Sequence, residues 1–384
     1  MEKLFTYPHE VIINNHEVIA NSATIPTQKS IAKSIGVSRE TVSQILRGRE
    51  AHRYNGETRK MVVDAAKVLG YRPHRAAQAM RKGRSNLIGV IHFGTSSHIA
   101  RQIAHFLPQS INRLGYETLV VDLSWLGNSH HRALEYLADV RVEGVIISHM
   151  VESFGIEEVE ILTRMGIPAV TLAGNEKLGI PALYADSRSA FRDLVRHVGS
   201  LGHRRLLFLT NDYKSRPALS RILGFEDGLR EFSDAPLEGK IVCLPADHEE
   251  FDPSAAAYQF MRKLIQKNNI PDAVVCMNDH WARGVFAAAW EAGMVVPRDL
   301  AVTGFDNEPF AAQPPYYLTT ATPDVGEECG KAVEVLTNLI TNRPLAQREF
   351  IFPCKLMIRK SCGTVLDAHA VAPLHPIPEF AESS

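Results

Sequence analysis

The chain has 384 residues, 45% of them hydrophobic, 8% aromatic and 22% charged, so a soluble globular protein of two or three domains is expected. No apolar run reaches the roughly 18 residues of a membrane-spanning helix, which excludes an integral helical membrane protein. The five cysteines are scattered without a C-x-x-C pair, which excludes a zinc ribbon and fits thiols in a reducing cytosol.

The formal net charge of −1 conceals a division, because residues 25–85 hold 14 Lys+Arg against 4 Asp+Glu while the remainder holds 28 against 39. A basic segment joined to an acidic body is the footprint of a nucleic-acid-binding module on a separate domain. Residues 1–24 lack the cationic start, apolar stretch and cleavage site of a secretory signal. They are either a short extra arm or strand, or poorly ordered.

In residues 27–48, TQKSIAKSIGVSRETVSQILRG, Thr27 caps a helix with Ile31, Ala32 and Ile35 on its apolar face. Gly36 supplies the positive φ of a tight turn, and Ser38 caps a second helix with Val42, Ile45 and Leu46 inward. Asn55 caps a third, with Met61, Val62, Ala65, Ala66 and Leu69 toward the core. Three such helices close either a helix-turn-helix DNA-binding bundle or a protein-interaction bundle, and the basic excess favours the first. The second helix is expected to expose Arg39, Glu40, Ser43 and Gln44, which would enter a major groove. Arg suits guanine, Gln adenine and Glu cytosine. Thr27, Ser38, Asn55 and Thr58 stand at helix starts, where hydroxyls and N–H groups suit phosphates. Beyond Pro73, RAAQAMRK makes about two helical turns that are marginal alone. Met80 amid Arg75, Gln78, Arg81 and Lys82 fits a minor-groove wedge, or else a linker residue resting on the body.

From Leu87 strands and helices alternate: LIGVIHF, a helix over 99–114, ETLVVDL, a helix over 130–139, GVIIS, a helix over 156–165, then PAVTLA. A second run starts at Asp186, with strands RRLLFLT, KIVCLPA, DAVVCMN and LAVTGFD separated by helices. Two doubly wound parallel sheets in one chain predict two lobes, with a ligand beyond the C-terminal strand ends. Those ends supply His92-Phe93, Ala173, Thr210-Asn211-Asp212, Asn278-Asp279 and Asp306-Asn307, with Arg221 and Phe251 as neighbours. Such Asn, Asp and Arg side chains chelate sugar-type hydroxyls and aromatics cover apolar sugar faces. Any one of these residues taken alone is better read as a helix cap or turn, Asp279 and Asn307 in particular, and His130-His131 is read as surface.

The string S-I-A-K-S-I-G-V-S-R-E-T-V-S-Q-I-L, followed by T-R-K-M-V and A-A-K-V-L-G-Y-R-P-H-R-A-A-Q-A-M, resembles the lac/galactose-repressor (LacI-type) family of bacterial regulators. LGHRRLLFL, S-R-I-L-G-F, V-V-C-M-N-D, V-P-R-D-L-A-V-T-G-F-D-N and F-P-C-K-L-M-I-R-K-S continue the likeness in order, over residues 27–363. The resemblance implies base reading by Arg39, Glu40 and Gln44, and a hinge helix whose Met80, in place of the usual Leu, enters the minor groove. His74 replaces the usual Asn before that helix. It also implies a periplasmic-binding-protein-like body in which Arg221, Asn278 and Asp306 contact an effector.

The expected architecture is multidomain. An N-terminal extension (1–24) precedes an all-α helix-turn-helix domain (25–72), a hinge (73–85), an α/β two-lobed effector-binding and dimerisation domain (86–363) and a Pro-rich tail (364–384). The DNA-contacting set is Thr27, Ser38, Arg39, Glu40, Ser43, Gln44, Asn55, Thr58, Tyr71, His74, Ala77 and Met80. The effector set is Phe93, Arg221, Phe251, Asn278, Asp279 and Asp306. Expected partners are a near-palindromic double-stranded operator, a small-molecule effector of carbohydrate type and a second copy of the chain, with no membrane, metal or cofactor. The tail lacks heptad spacing, so a dimer is the default. An exported sugar-binding protein and an enzyme are the alternatives. Against the enzyme, no G-x-x-x-x-G-K-[ST], H-E-x-x-H or G-x-S-x-G is present.

Overall fold

The computed structural model describes residues 26–46, 53–72, 84–92, 94, 97–127, 129–148, 154–172, 178–210, 215–233, 236–244 and 252–363. The chain divides into two compact units, Met1–Arg84 and Ser85–Ser384.

In the first unit, helices α1 (Gln28–Ile35), α2 (Arg39–Leu46) and α3 (Gly56–Val68) surround a core of Ile31, Ala32, Val42, Ile45, Val62 and Ala66. The expected caps are in place. Thr27 accepts from the Ser30 N–H at 3.2 Å, Ser38 Oγ from that of Thr41 at 3.0 Å, and Asn55 from that of Thr58 at 2.7 Å. Gly36 takes φ 67°, a left-handed conformation that costs a residue with a Cβ about 1–2 kcal/mol. Two expected orientations are corrected. Met61 is exposed, because it lies 100° round the helix from Val62 and outside the Val62/Ala66 stripe. Ser43 is buried, not exposed. It sits only 60° from Leu46 on the helical wheel, at the edge of the inward face.

The second unit consists of two lobes, each a six-stranded sheet. The first lobe begins with β1 (Leu87–His92), α4 (His98–Arg113), β2 (Glu117–Asp122), α5 (His130–Asp139), β3 (Gly144–Ile147), α6 (Ile156–Arg164), β4 (Ala169–Thr171) and β5 (Ala182–Ala185). The second holds α7 (Ser187–Ser200), β6 (Arg205–Thr210), α8 (Arg216–Arg230), β7 (Glu238–Cys243), α9 (Pro253–Gln266), β8 (Ala273–Cys276), α10 (Asp279–Glu291), β9 (Ala301–Phe305) and β10 (Thr319–Pro323). The chain then returns through α11 (Val325–Ile340), whose Val325, Cys329, Ala332, Val333 and Leu336 pack in the first lobe. It ends with β11 (Glu349–Phe352) on the first sheet and β12 (Cys354–Met357) on the second. Strand orders are β11-β5-β4-β3-β1-β2 and β12-β10-β9-β8-β6-β7.

All pairs are parallel except β10 with β12, and the inner strands β1, β3, β4, β6, β8 and β9 are nearly continuous apolar runs, as a sheet covered on both faces requires. The chain crosses between lobes three times. Asp186 and Asp324 cap the helices just after two of the crossings, and the Asp186 N–H donates to the Phe352 carbonyl beside the third. That last bond ties the first crossing to the third. Among the described residues no helix is long and apolar enough to cross a membrane. None of the five cysteines forms a disulfide.

Candidate DNA-reading face and lobe-boundary site

Helix α2 exposes Arg39 and Glu40 in its first turn, and Gln44 is half-buried one turn on. Gln44 Nε2 donates to Glu40 Oε1 at 3.1 Å, and the Tyr54 hydroxyl donates to Gln44 Oε1 at 2.6 Å. Thr27, Ser38 and Asn55 spend side-chain oxygens on capping, while Thr58 offers its backbone N–H to Asn55. Tyr71 is half-buried against the bundle core. His74, Ala77 and Met80 lie outside the described residues, as do Phe93, Ala173, Asn211, Asp212 and Phe251.

In the body, strand order reverses between β1 and β3 and again between β6 and β8. Both reversals place polar groups at C-terminal strand ends, where doubly wound sheets bind ligands. At the first, His92 Nδ1 lies 3.1 Å from Ser148 Oγ, both buried. Burial holds the His92 imidazole below its ordinary pKa, opposed by nearby Asp122. At the second, Arg221 on α8 donates from Nη1 to the Met277 carbonyl at 2.8 Å. Its guanidinium stacks 4.1 Å over the Phe305 ring, and Phe305 in turn packs against Phe191. Arg221 Nη2 is 4.0 Å from Asp306 Oδ1. Burial lowers the Arg221 pKa and raises that of Asp306, while each partner's charge opposes the other's shift. Desolvation therefore outweighs attraction in this pair as it stands.

Asp306 and Asn307 both hold positive φ, 99° and 52°. Such backbone in a non-glycine residue is strained and gathers at ligand clamps. The strain is held from below. Asp279 is fully buried, and its carboxylate accepts the Thr320 hydroxyl at 2.7 Å and the Glu308 N–H at 2.7 Å. Gly304 is required beneath it, because a Cβ there would stand 2.1 Å from Asp279 Oδ1. Burial, reinforced by the Asp306 carboxyl, pushes Asp279 well above the usual carboxylate range. Asp279 thus belongs to the scaffold of the 306–308 turn, and its expected place as a ligand-facing residue is corrected. Asn278 Oδ1 caps α10, accepting from the His280 and Trp281 N–H groups at 3.1 and 3.3 Å. Asn307 is not a helix cap, since its Oδ1 accepts from Arg359 Nη2 at 2.7 Å.

Glu308 has no place in the expected site, yet it joins the lobes. Its carboxylate, only 5% exposed, accepts from Arg101 Nη2 of α4 at 3.1 Å and lies 3.0 Å from His280 Nε2 and 3.9 Å from His98 Nδ1. An acidic residue directly after G-F-D-N was the visible signal, but its partners on α4 lie some 200 residues away in sequence. His130, expected on the surface, is half-buried and lies 3.0 Å from Glu158 Oε1. Among the described residues no group of three or more His, Cys, Asp and Glu could hold a metal ion.

A helix-turn-helix bundle followed by two doubly wound lobes with a polar boundary defines a DNA-binding regulator built on a binding-protein body. The periplasmic binding protein-like domain family matches residues 195–362. The transcriptional regulator MalR of Streptomyces coelicolor is 30% identical over 342 residues, 87% of this chain and 96% of its own length. The repressor PurR of Haemophilus influenzae is 26% identical, over 88% of this chain and 99% of its own. The lac repressor dimer bound to operator and the anti-inducer ONPF superposes with a TM-score of 0.74 at 24% identity, covering 88% of this chain and 99% of that one. The regulator CelR in complex with cellobiose gives 0.59 at 21%, again over 88% and 99%. The chain belongs to the LacI-type family of helix-turn-helix transcriptional regulators. It is a DNA-binding transcription factor and not an enzyme.

Proposed function

We propose that the protein is a cytoplasmic, homodimeric repressor whose operator affinity is set by a small polyhydroxylated molecule of the carbohydrate class, held between the lobes. The observation that carries the effector is the Arg221–Asp306 pair above the Phe305 ring, at a strand-order reversal and beside strained backbone. A guanidinium and a carboxylate offer paired donors and acceptors to neighbouring hydroxyls. Asn278 supplies an amide, and Phe93 and Phe251 cover apolar ring faces. Each subunit presents α2 to one half of a near-palindromic site. Arg39, Glu40 and Gln44 read bases, Thr27, Ser38, Asn55 and Thr58 face phosphates, and Tyr71, His74 and Ala77 complete the DNA-contacting set. Met80 pairs with its copy in the minor groove and kinks it.

Selection of genomic fragments by the purified protein at moderate salt, followed by sequencing, tests this reading. A near-palindromic motif is the expected product, and Arg39→Ala should cost about 1–3 kcal/mol of preference at one position per half-site. Random fragments, both with and without added metabolite extract, would contradict it.

A further inference from the structure

We infer that Tyr54 is a specificity-positioning residue: its hydroxyl anchors the Gln44 amide, whose sense Glu40 sets, so that Gln44 presents an adenine-complementary edge. The inference rests on the proposed base-reading role of Gln44. Tyr54 lies outside the recognition helix, one residue before the Asn55 cap of α3, and its ring is half-buried against the bundle core. Its hydroxyl stands 2.6 Å from Gln44 Oε1, and Gln44 Nε2 stands 3.1 Å from Glu40 Oε1.

Chemistry decides which way the amide faces. A carboxylate only accepts, so the Gln44 NH₂ must face Glu40, and the Oε1 that remains takes the Tyr54 proton. Glu40 therefore sets the sense of the amide, since a flipped amide would turn its oxygen on the carboxylate, and the Tyr54 hydroxyl anchors the amide in that sense. The amide is not exhausted by these two contacts. Oε1 keeps a second lone pair and Nε2 a second hydrogen. An acceptor and a donor are what adenine meets with its N6 amino group and N7. Glu40 alone would hold the NH₂ through an exposed i, i+4 contact, which is weak. The core-anchored Tyr54 adds a contact from a second element, so the amide is ordered before it meets DNA and loses less freedom on binding.

The test compares Tyr54→Phe, Gln44→Ala and the double variant, each by selected-motif sequencing and by titration on the selected site, on that site with its adenine position changed, and on non-specific DNA. Tyr54→Phe keeps the ring, and a thermal melt checks that the bundle still folds. Tyr54→Phe is expected to lower discrimination at the single base position that Gln44→Ala erases, by about 3–10-fold. Affinity for non-specific DNA should stay unchanged, and Tyr54→Phe should add little to Gln44→Ala. A Tyr54→Phe protein with an unaltered motif, while Gln44→Ala loses one position, overturns the role of Tyr54 and leaves base reading by Gln44 intact. Equal weakening on all three DNAs would make Tyr54 a packing residue only, which also overturns it. An unaltered motif in Gln44→Ala removes the base-reading role itself, and this inference with it.

Discussion

The two lobes share a strand order and differ in what they bury. At its strand-order reversal the first lobe carries His92 against Ser148, a hydrogen bond between groups that can both be neutral. The second carries Arg221, Asp279, Asp306 and Glu308, all largely enclosed, with two consecutive residues in left-handed backbone. Buried charge is costly unless geometry is exact enough to repay desolvation, so a lobe that keeps it holds something other than stability. In this account the second lobe grips the ligand, and the first closes on it through Arg101 and His98 of α4. Topology sets where a site can lie, and side-chain chemistry decides which half of the site does the discriminating.

The largest expected difference between the lobes comes from removing one charge. Arg221→Ala leaves Asp306 buried without its cation and should cost about 3–5 kcal/mol, read from the denaturant midpoint. His92→Ala removes a neutral contact and should cost about 1–2 kcal/mol. Equal losses would break the asymmetry.

Next is a pH effect on the first-lobe side. Burial alone pushes the Glu328 carboxyl of α11 up to about 8 from an ordinary 4.5. The folded protein therefore keeps that proton where the unfolded chain has lost it. The contribution favouring the fold is full below pH 4.5, declines as pH rises through the window to about 8, and is then gone. Glu328→Gln should flatten this decline and stabilise the protein at pH 8 by on the order of 3 kcal/mol, measured as thermal midpoints across pH.

The smallest effect on stability belongs to Arg101→Ala, because that side chain is 48% exposed, solvent screens its pairing with Glu308, and Glu308 keeps His280 Nε2 at 3.0 Å. A loss under about 1 kcal/mol is expected, and the change should register in lobe closure by small-angle scattering. Scattering identical to the parent protein, with and without carbohydrate, would remove Arg101 from the closing contact.

Much of the fold was legible because period and punctuation agree. The apolar runs of β1–β4 and β6–β9 and the caps at Thr27, Ser38 and Asn55 are local signals, and all fall where the residues indicate. β5, β10, β11 and β12 carry weaker ones. They are four or five residues long, and β11 and β12 are divided only by Pro353. They become strands through partners far away in sequence, as Ala182 pairs with Glu349. α11 is different, because Val325, Cys329, Ala332, Val333 and Leu336 repeat at helical spacing and could have been found. In the candidate site, Asn278 and Asp306 were reachable from strand ends, and Arg221 as their neighbour on an adjoining segment. The scaffolding of Asp279 by Thr320 and Glu308 was not, and neither was the meeting of Glu308 with α4, because only tertiary folding brings those residues together.

The central claim is that occupancy of the lobe boundary controls DNA affinity. The most direct test takes the mono- or disaccharide that most raises the thermal midpoint of the full-length protein. Affinity for the selected operator is then titrated with and without it, at fixed salt. A change of about 5–150-fold, matched by an equal change in carbohydrate affinity when operator is added, is the predicted result. A carbohydrate that stabilises the protein but leaves operator affinity unchanged would contradict the account, and so would a panel in which none stabilises it.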